Sequence, residues 1–591
     1  MEGNYFLIEV SFEAGNKVGG IWTVLTSKST YIKTAFGSNY LAIGFYNPTQ
    51  AAVEFIETPA PQYVKDALAD FKLDGVKVYF GQWVPGSNNN IILLDTKDFE
   101  KNHVNDIKRE FWDAFKIDSL NSPEDYNEPL AWSYAAGALA EALNKHIGIR
   151  TVIQAHEWLS GGTVLYLKAK QAKIPTVFTA HATVLGRAYS YGGNDVMSFI
   201  NENLSVSNSM PYQYGVAAKH FTEKAAASNA TVFTVVSEIV KKEAIVMLGK
   251  KADFVTTNGI DLINLPNEEE LSTMRVNAKE KFASFINSYF LPYYDFNGKE
   301  AKVFITSGRY EFYDKGFDLF IDALGKLDKM LTDDNYIIAL IAVPTGTYGL
   351  KNEVVANYLT YLSIKSSLDE DVRNFDELVA SEPSVTTTNL DKAYSKILND
   401  ARRLTLQLRR PKPTNPPICP FILSYPEQTD AILNKLKDNG LENDVKNKIK
   451  VIFYPKYLTV GDELLNMTYN EVITLATAGF FLSKYEPFGY TPIEAASHMS
   501  IAFTTDHSGL AECCLTMQKR EINGIIIEKL TGKKHDDIVL QTAEDMLKIA
   551  MMSDDDVFRL KLAAKKTAEN FGWDKFIQNY FDAYGSALKK I

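Results

Sequence analysis

Short apolar runs rich in β-branched and aromatic residues alternate with helix-period stretches along this chain, and that alternation limits the fold more than any other feature. The first set comprises Tyr5–Val10, Leu41–Tyr46, Val78–Trp83, Ile91–Leu94, Thr151–Gln154, Thr176–Thr179, Thr231–Val236 and Phe254–Thr256. Helical patterns such as Ala131–Lys145 and Gly162–Ala172 separate several of them. Apolar strands with intervening helices imply parallel βαβ units. A second set follows at Val303–Thr306, Tyr336–Val343, Val451–Tyr454, Gly479–Ser483, Ile501–Thr504 and Gly524–Glu528. Between the sets, Ser288 to Lys302 carries Pro292, Gly298 and several aromatics and reads as an interdomain connection. A chain of 591 residues exceeds what one core holds, so two α/β domains are expected, over 1–288 and 300–570. The interval Gly346 to Asn447 breaks the rhythm. It is helical and charged, then proline-rich from Pro411 to Pro417, and reads as an insertion of about 346–447 in the second domain.

Composition narrows the partners. Apolar residues make up 46% and charged residues 23%, ordinary for a soluble globular protein. The net charge of −11 argues against broad nucleic-acid binding, so any cationic site must be local. Cys419, Cys513 and Cys514 are too few and too scattered for a disulfide framework or a zinc site. Met1-Glu2-Gly3-Asn4 is acidic and leads at once into a strand, so no signal peptide is expected. No apolar run approaches the roughly 18 residues that span a membrane. A cytoplasmic protein is expected.

Chemistry-bearing residues gather at the carboxyl ends of the expected strands, where α/β sheets bind ligands. After Tyr5–Val10 comes Asn16-Lys17-Val18-Gly19-Gly20-Ile21. Its glycines let the backbone approach a ligand, and the following helix offers its first amides to a phosphate. The same residues also make an ordinary tight strand–helix turn, and they lack the dinucleotide-binding G-x-G-x-x-G. His156-Glu157-Trp158 ends another strand; Trp158 suits a core equally well. His181 to Arg187 follows Thr176–Thr179, and a histidine there either faces a cleft or serves as a structural hydrogen-bonder. Gly308 to Gly316 carries Arg309 and Lys315 ahead of the amphipathic helix Phe317–Leu327. Two cations in one short turn suit a diphosphate; singly, either could be a surface charge. Last, Lys484-Tyr485-Glu486-Pro487-Phe488-Gly489-Tyr490-Thr491-Pro492-Ile493-Glu494 joins a strand to a helix that Pro492 is suited to start.

The two glutamates Glu486 and Glu494, with Pro487 and Gly489 between, resemble the E-x7-E signature of retaining glycosyltransferases. His-Ala-Thr-x-Leu-Gly-Arg at 181–187 and Tyr-Glu-Pro-x-Gly-Tyr-Thr-Pro at 485–492 make the resemblance specific to glycogen synthase of the eukaryotic type, glycosyltransferase family 3. Matching stretches at Lys17–Leu25, His156–Gly161, Thr234–Ser237, Asn258-Gly259, Gly308–Gly316 and Gly524–Ile527 carry it over nearly the whole chain. The resemblance implies a GT-B fold: two Rossmann-like, doubly wound domains facing a deep cleft, with the helix Trp573–Leu588 within 571–591 returning to the first domain. It implies transfer of glucose, with retention, from a nucleotide sugar (UDP-glucose or ADP-glucose) to a glycogen or α-1,4-glucan acceptor. Alternatives are another GT-B transferase, a nucleotide-sugar epimerase, or a non-catalytic glucan-binding scaffold.

Roles follow from the resemblance. Arg309 and Lys315 neutralise the leaving diphosphate, His181 lies beside the donor glucose, and Glu486 is the essential carboxylate near that sugar. Arg187 lines the cleft, and Lys17 stands where many relatives have arginine. The amides after Glu486, with Thr491, meet the diphosphate, and Tyr457 and Tyr469 flank the base. Substrate contacts are also implied for Gly19, Gly20, His156, Glu157, Asn258, Gly489, Tyr490 and Glu494. No D-x-D motif ends a strand, and Asp554-Asp555-Asp556 reads as a helix start, so neither metal nor cofactor is expected. The insertion resembles the family's subunit-contact region, which implies a homo-oligomer, a tetramer. Relatives carry an arginine-rich regulatory helix and phosphorylated tails. Here 554–570 holds one arginine, Arg559, with Lys561, Lys565 and Lys566 dispersed, and Arg402-Arg403 and Arg409-Arg410 lie in the insertion. An unregulated short form is expected.

Overall fold

The computed structural model describes residues 5–591 apart from 297, 299, 333–335, 382–386, 410–413 and 518–523. Met1–Asn4, Arg410 and the prolines at 411 and 413 therefore lie outside the described residues.

Two sheets form two lobes. The first has nine strands: β1 Phe6–Val10, β2 Tyr40–Phe45, β3 Phe55–Glu57, β4 Lys77–Trp83, β5 Asn89–Asp95, β6 Thr151–His156, β7 Thr176–Ala180, β8 Val232–Val235 and β9 Phe254–Val255. Their spatial order is β3-β4-β5-β2-β1-β6-β7-β8-β9. The central strands β1, β2, β6 and β7 are buried almost throughout and run parallel, as their apolar sequences predict. The expectation of purely parallel units fails at one edge, where β3, β4 and β5 pair antiparallel. The connection Val84–Asn88 is too short for a crossover helix, and a short link permits only a hairpin. The second lobe starts with β10 Lys302–Ser307 and β11 Ile337–Ala342, followed by a two-stranded antiparallel ribbon, β12 Thr347–Leu350 and β13 Phe421–Leu423. It continues with β14 Ile449–Tyr454, β15 Ala478–Phe480, β16 Ile501–Thr505 and β17 Ile525–Glu528. The main sheet, β14-β11-β10-β15-β16-β17, is parallel throughout.

Two sequence boundaries move. Residue 288 falls inside the helix Glu268–Phe290. That helix buries Phe282, Phe285, Ile286 and Phe290 in the core of the second sheet, so it belongs to the second lobe. The insertion narrows to the helices Asn352–Ser381 and Thr387–Leu408. From Ile418 to Leu441 the chain returns to the second core through Leu423, Ile432, Leu433 and Leu436.

The helix Trp573–Lys589 packs on the first lobe, burying Trp573, Tyr580 and Tyr584 beside Leu7, Val24 and Leu25. Polar links pin it there: the Trp573 indole donates to Ser27 Oγ at 2.9 Å, and the Tyr584 hydroxyl bonds Gln154. Buried indole and phenol groups need such partners. Among the described residues, no helix is long and apolar enough to cross a membrane.

Candidate active site

In each sheet, one strand has its chain successors on opposite sides, and a crevice opens at its carboxyl end. In the second lobe that strand is β10, between β11 and β15. The loop 308–316 leaves β10 and the loop 481–489 leaves β15. Gly316 has φ +66°, and a Cβ there would fall 2.0 Å from the Leu482 carbonyl oxygen, so only glycine lets the first loop lie against the second. The contact brings Lys315 Nζ to 2.7 Å from Glu486 Oε2, with the Ser483 hydroxyl 3.3 Å from the same oxygen. Burial drives the Glu486 carboxyl upward, but Lys315 and Arg309 outweigh it and leave its proton affinity below the ordinary value. Glu486 is therefore a carboxylate. Arg309 is half exposed and paired with Glu311 at 3.0 Å.

The helix Tyr490–Ser497 starts two residues before the proline proposed to begin it. Its N-cap, Gly489, has φ +112°, and no side chain caps the first turn. Pro492 then falls at the third helical position, where its missing N–H costs nothing. The open amides and helix dipole there suit an anion. Thr491 stands in this first turn. Tyr490 instead points to the first lobe, its hydroxyl donating to the Gly259 carbonyl at 3.2 Å.

In the first lobe the switch strand is β1, between β2 and β6. The helix Gly20–Phe36 begins here, but two amides expected to meet a phosphate already have an anion: Gly19 N–H and Trp22 N–H both donate to Glu13 Oε2 at 2.9 Å. The Gly19-Gly20 turn thus carries its own capping carboxylate, which sequence reasoning missed. Lys17 is exposed, its ammonium 4.4 Å from the Trp22 ring centre. Its charge acts on Glu494, whose carboxyl burial raises to about 7 against the pull of Lys17.

At the ends of β6 and β7 the roles divide. His156 is fully buried and touches no open space; its Nδ1 lies 2.9 Å from His181 Nε2 and its Nε2 lies 2.8 Å from Glu9 Oε1. The expected substrate contact is thereby corrected to a support for His181. Glu157 is likewise buried and serves as a brace: its Oε1 accepts from the N–H groups of His181 and Ala182 at 3.1 and 3.0 Å. It holds φ +63° with ψ 170°, a region nearly restricted to glycine, and such strain persists where surroundings over-determine it. Two more buried acids absent from the sequence reading, Glu223 and Glu243, accept from Val184 N–H at 2.9 Å and Thr183 N–H at 3.1 Å. Arg187 lies among them. Burial alone would weaken its hold on the proton, yet Glu157, Glu311 and Glu486 strengthen it.

The lobes meet around this group. Ser190 donates to Asp314 at 2.6 Å, Tyr485 to Glu243 at 2.8 Å, and Ser237 to the Pro487 carbonyl at 2.7 Å. Arg187 of one lobe and Glu486 of the other thus share one electrostatic field, with His181, Arg309 and Lys315 around them. Three further expected contacts differ in burial. Asn258 is buried beneath the C-terminal helix, accepting from the Tyr580 hydroxyl at 3.2 Å. Tyr469 lies half-buried with its hydroxyl 3.1 Å from Ser307 Oγ, at the end of the strand that leads into the Arg309 loop, whereas Tyr457 is 77% exposed. Among the described residues no cluster of three or more His, Cys, Asp or Glu side chains is placed to hold a metal. Asp554–Asp556 form the first turn of a helix capped by Ser553, as their sequence predicts.

Comparison with known proteins bears on the fold and the family. The catalytic domain of starch synthase IV from Arabidopsis thaliana has the same GT-B fold, with a TM-score of 0.53 at 13% identity over 99% of this chain and 100% of that one. The glycogen [starch] synthase of Neurospora crassa is 28% identical over 99% of this chain and 84% of its own. The liver glycogen [starch] synthase of Rattus norvegicus is 30% identical over 85% of this chain and 72% of its own. The sequence model of the family described as glycogen synthase matches residues 9–591, and the chain belongs to that family.

Proposed function

We propose that the chain is a retaining glucosyltransferase that moves glucose from UDP-glucose to the non-reducing end of an α-1,4-glucan. The Glu486–Lys315 pair, beside a helix start that no side chain caps, carries this reading. As the bond from the anomeric carbon to the diphosphate breaks, negative charge grows on the leaving oxygens and positive charge on the sugar. Lys315, Arg309 and the first amides of the helix Tyr490–Ser497 supply the positive side. Glu486 supplies the negative side and orients sugar hydroxyls, while His181 and Arg187 close the sugar site from the other lobe. The acceptor hydroxyl enters on the face the diphosphate leaves, its proton passing to the departing phosphate, so configuration is kept. Lys17 with Glu494 and Tyr469 border the nucleotide side. Cations and a helix terminus do the work a metal does elsewhere. The helical hairpin turns Leu359, Val372, Val379, Tyr394 and Leu398 outward, which suits a subunit contact in a tetramer. A cytoplasmic setting fits this substrate pair.

The deciding experiment measures free nucleotide from UDP-glucose and ADP-glucose, with and without glycogen. Glycogen-dependent UDP release accompanied by lengthened chains is expected. Glycogen binding without release would leave a scaffold. Light scattering on the purified protein checks the tetramer; a monomer at micromolar concentration would remove it.

A further inference from the structure

A buried chain of side chains runs beneath His181. Glu9 sits in β1 at 1% exposure, and an acid there must be paired. Its Oε1 meets both Lys28 Nζ and His156 Nε2, and its Oε2 accepts from the Tyr40 hydroxyl at 2.7 Å. His156 then meets His181 Nε2 at 2.9 Å. His181 Nδ1 has no protein partner among the described residues and is not sealed from solvent.

The proton positions follow from the chemistry of the donors. Glu9 carries its charge opposite Lys28, so it only accepts, and His156 Nε2 must donate to it. An imidazolium at His156 would add a second cation on an oxygen that Lys28 already neutralises, at the full cost of burial. His156 is therefore neutral, its bare Nδ1 accepts, and His181 Nε2 must be the donor. Arg187 and Lys28 oppose a charge on His181 as well. With its one proton turned inward, His181 has a bare Nδ1 facing outward.

We infer that Glu9, Lys28, Tyr40 and His156 are positioning residues that fix His181 in the Nε2–H tautomer, so that it presents an acceptor to one hydroxyl of the donor glucose. This rests on the reading that His181 faces the donor sugar. The relay also explains why the C-terminal helix reaches back to this point: the Tyr580 ring lies 4.6 Å from Lys28 Nζ and covers the buried pair.

The test has two arms. Ring-nitrogen NMR of protein labelled with 15N-histidine reads the tautomer without any turnover; the chain has eight histidines, and His181→Gln assigns the signal. His181 should show a protonated Nε2 and a bare Nδ1 unchanged between pH 6 and 8. An Nδ1–H tautomer, or a ring that charges in this range, would overturn the inference even if the enzyme is active. The second arm uses nucleotide-glucose analogues that each lack one hydroxyl. In the wild type one analogue should lose about tenfold in kcat/KM through the missing bond to His181. In His156→Leu that penalty should shrink toward unity while the other analogues keep theirs. An equal loss on all analogues would mean His156 only maintains structure and would overturn the proposal. If His156→Leu does not fold, Tyr40→Phe and the wild-type spectrum decide. Absence of transfer with the expected spectrum would reject the proposed function and leave the relay standing.

Discussion

Lys315 decides the ionisation of Glu486. The carboxylate stays ionised in a buried setting because an ammonium lies 2.7 Å away, and in the proposed reaction that ammonium meets the leaving group. Glu486→Gln keeps the shape and removes the charge, so transfer should fall by orders of magnitude while the thermal transition stays within a few degrees. Near wild-type turnover in the pure variant would remove Glu486 from the mechanism. Arg309→Ala and Lys315→Ala should each cost about 2–4 kcal/mol of transition-state stabilisation, the scale of one preorganised donor. The two should differ in pH behaviour. Lys315 is the larger of the two influences holding the Glu486 carboxyl low. Losing it lets burial dominate, so the acid limb of the pH–rate profile should move to higher pH in Lys315→Ala and much less in Arg309→Ala. Equal limbs in both would mean that Glu486 ionisation does not limit the rate. EDTA should leave turnover unchanged; inhibition that Mg²⁺ reverses would contradict a cleft that works by cations alone.

At the scale of elements, the loops that leave β6, β7 and β15 depend on backbone conformations and buried acids. Gly489 holds φ +112° at the helix start, where any side chain is strained by about 1–3 kcal/mol. Gly489→Ala should lower stability by that amount and raise the donor KM, because the amides behind it shift; an unchanged KM would detach this helix start from the donor. Glu243 offers a pH test. Burial raises its carboxyl from 4.5 to about 6, against hydrogen bonds from Thr183 and Tyr485. Its contribution to stability is fully present below pH 4.5 and is lost as pH rises through 6, since the folded state binds the proton more tightly. Glu243→Gln lacks this term, so its melting temperature should gain on the wild type between pH 4.5 and 7. A gap that does not vary with pH would refute the raised carboxyl. These features mark the limit of what the sequence discloses. Parallel strands, motif positions and the Asp554 helix start were legible because apolar periodicity and cap chemistry are local. The Glu9 relay was not: Glu9 lies four residues from one end of the chain's first strand-like run, and its partners Lys28, Tyr40 and His156 come from three other elements. An acid inside an otherwise apolar strand was nevertheless a signal that a buried partner must exist. His156 and Asn258 are buried on protein partners, because position at a strand end does not say whether a side chain faces the cleft or the layer beneath. The antiparallel edge and the narrower insertion depend on link length and long-range packing, which periodicity does not report.

Across the whole molecule, the two lobes are joined by a few polar contacts around the cleft and by a C-terminal helix anchored on the first lobe. A regulator of such an assembly must bind one arrangement better than another, or it shifts nothing. For a sugar phosphate, that requires accessible cations on an element that moves between arrangements. The helix Asp554–Ala568, which precedes the returning helix, is the place to look. Three of its four cations are already engaged. Lys561 is fully buried with its ammonium on the Ala476 carbonyl, and burial beside Arg275 and Lys279 pushes its proton affinity well down. Lys565 is 5% exposed and pairs with Glu569 at 3.1 Å, and Arg559 pairs with Asp556 at 3.6 Å within the same helix. Of the four, Lys566 alone is exposed and outside any ion pair among the described residues, and one lysine cannot grip a phosphate in a defined orientation. The initial rate at sub-saturating sugar nucleotide should therefore be the same with and without millimolar glucose-6-phosphate. Activation of several-fold would refute this, and would direct attention to Arg275 and Lys279, the cations whose charge acts on Lys561. In that case Arg275→Ala with Lys279→Ala should abolish the activation while leaving the basal rate in place.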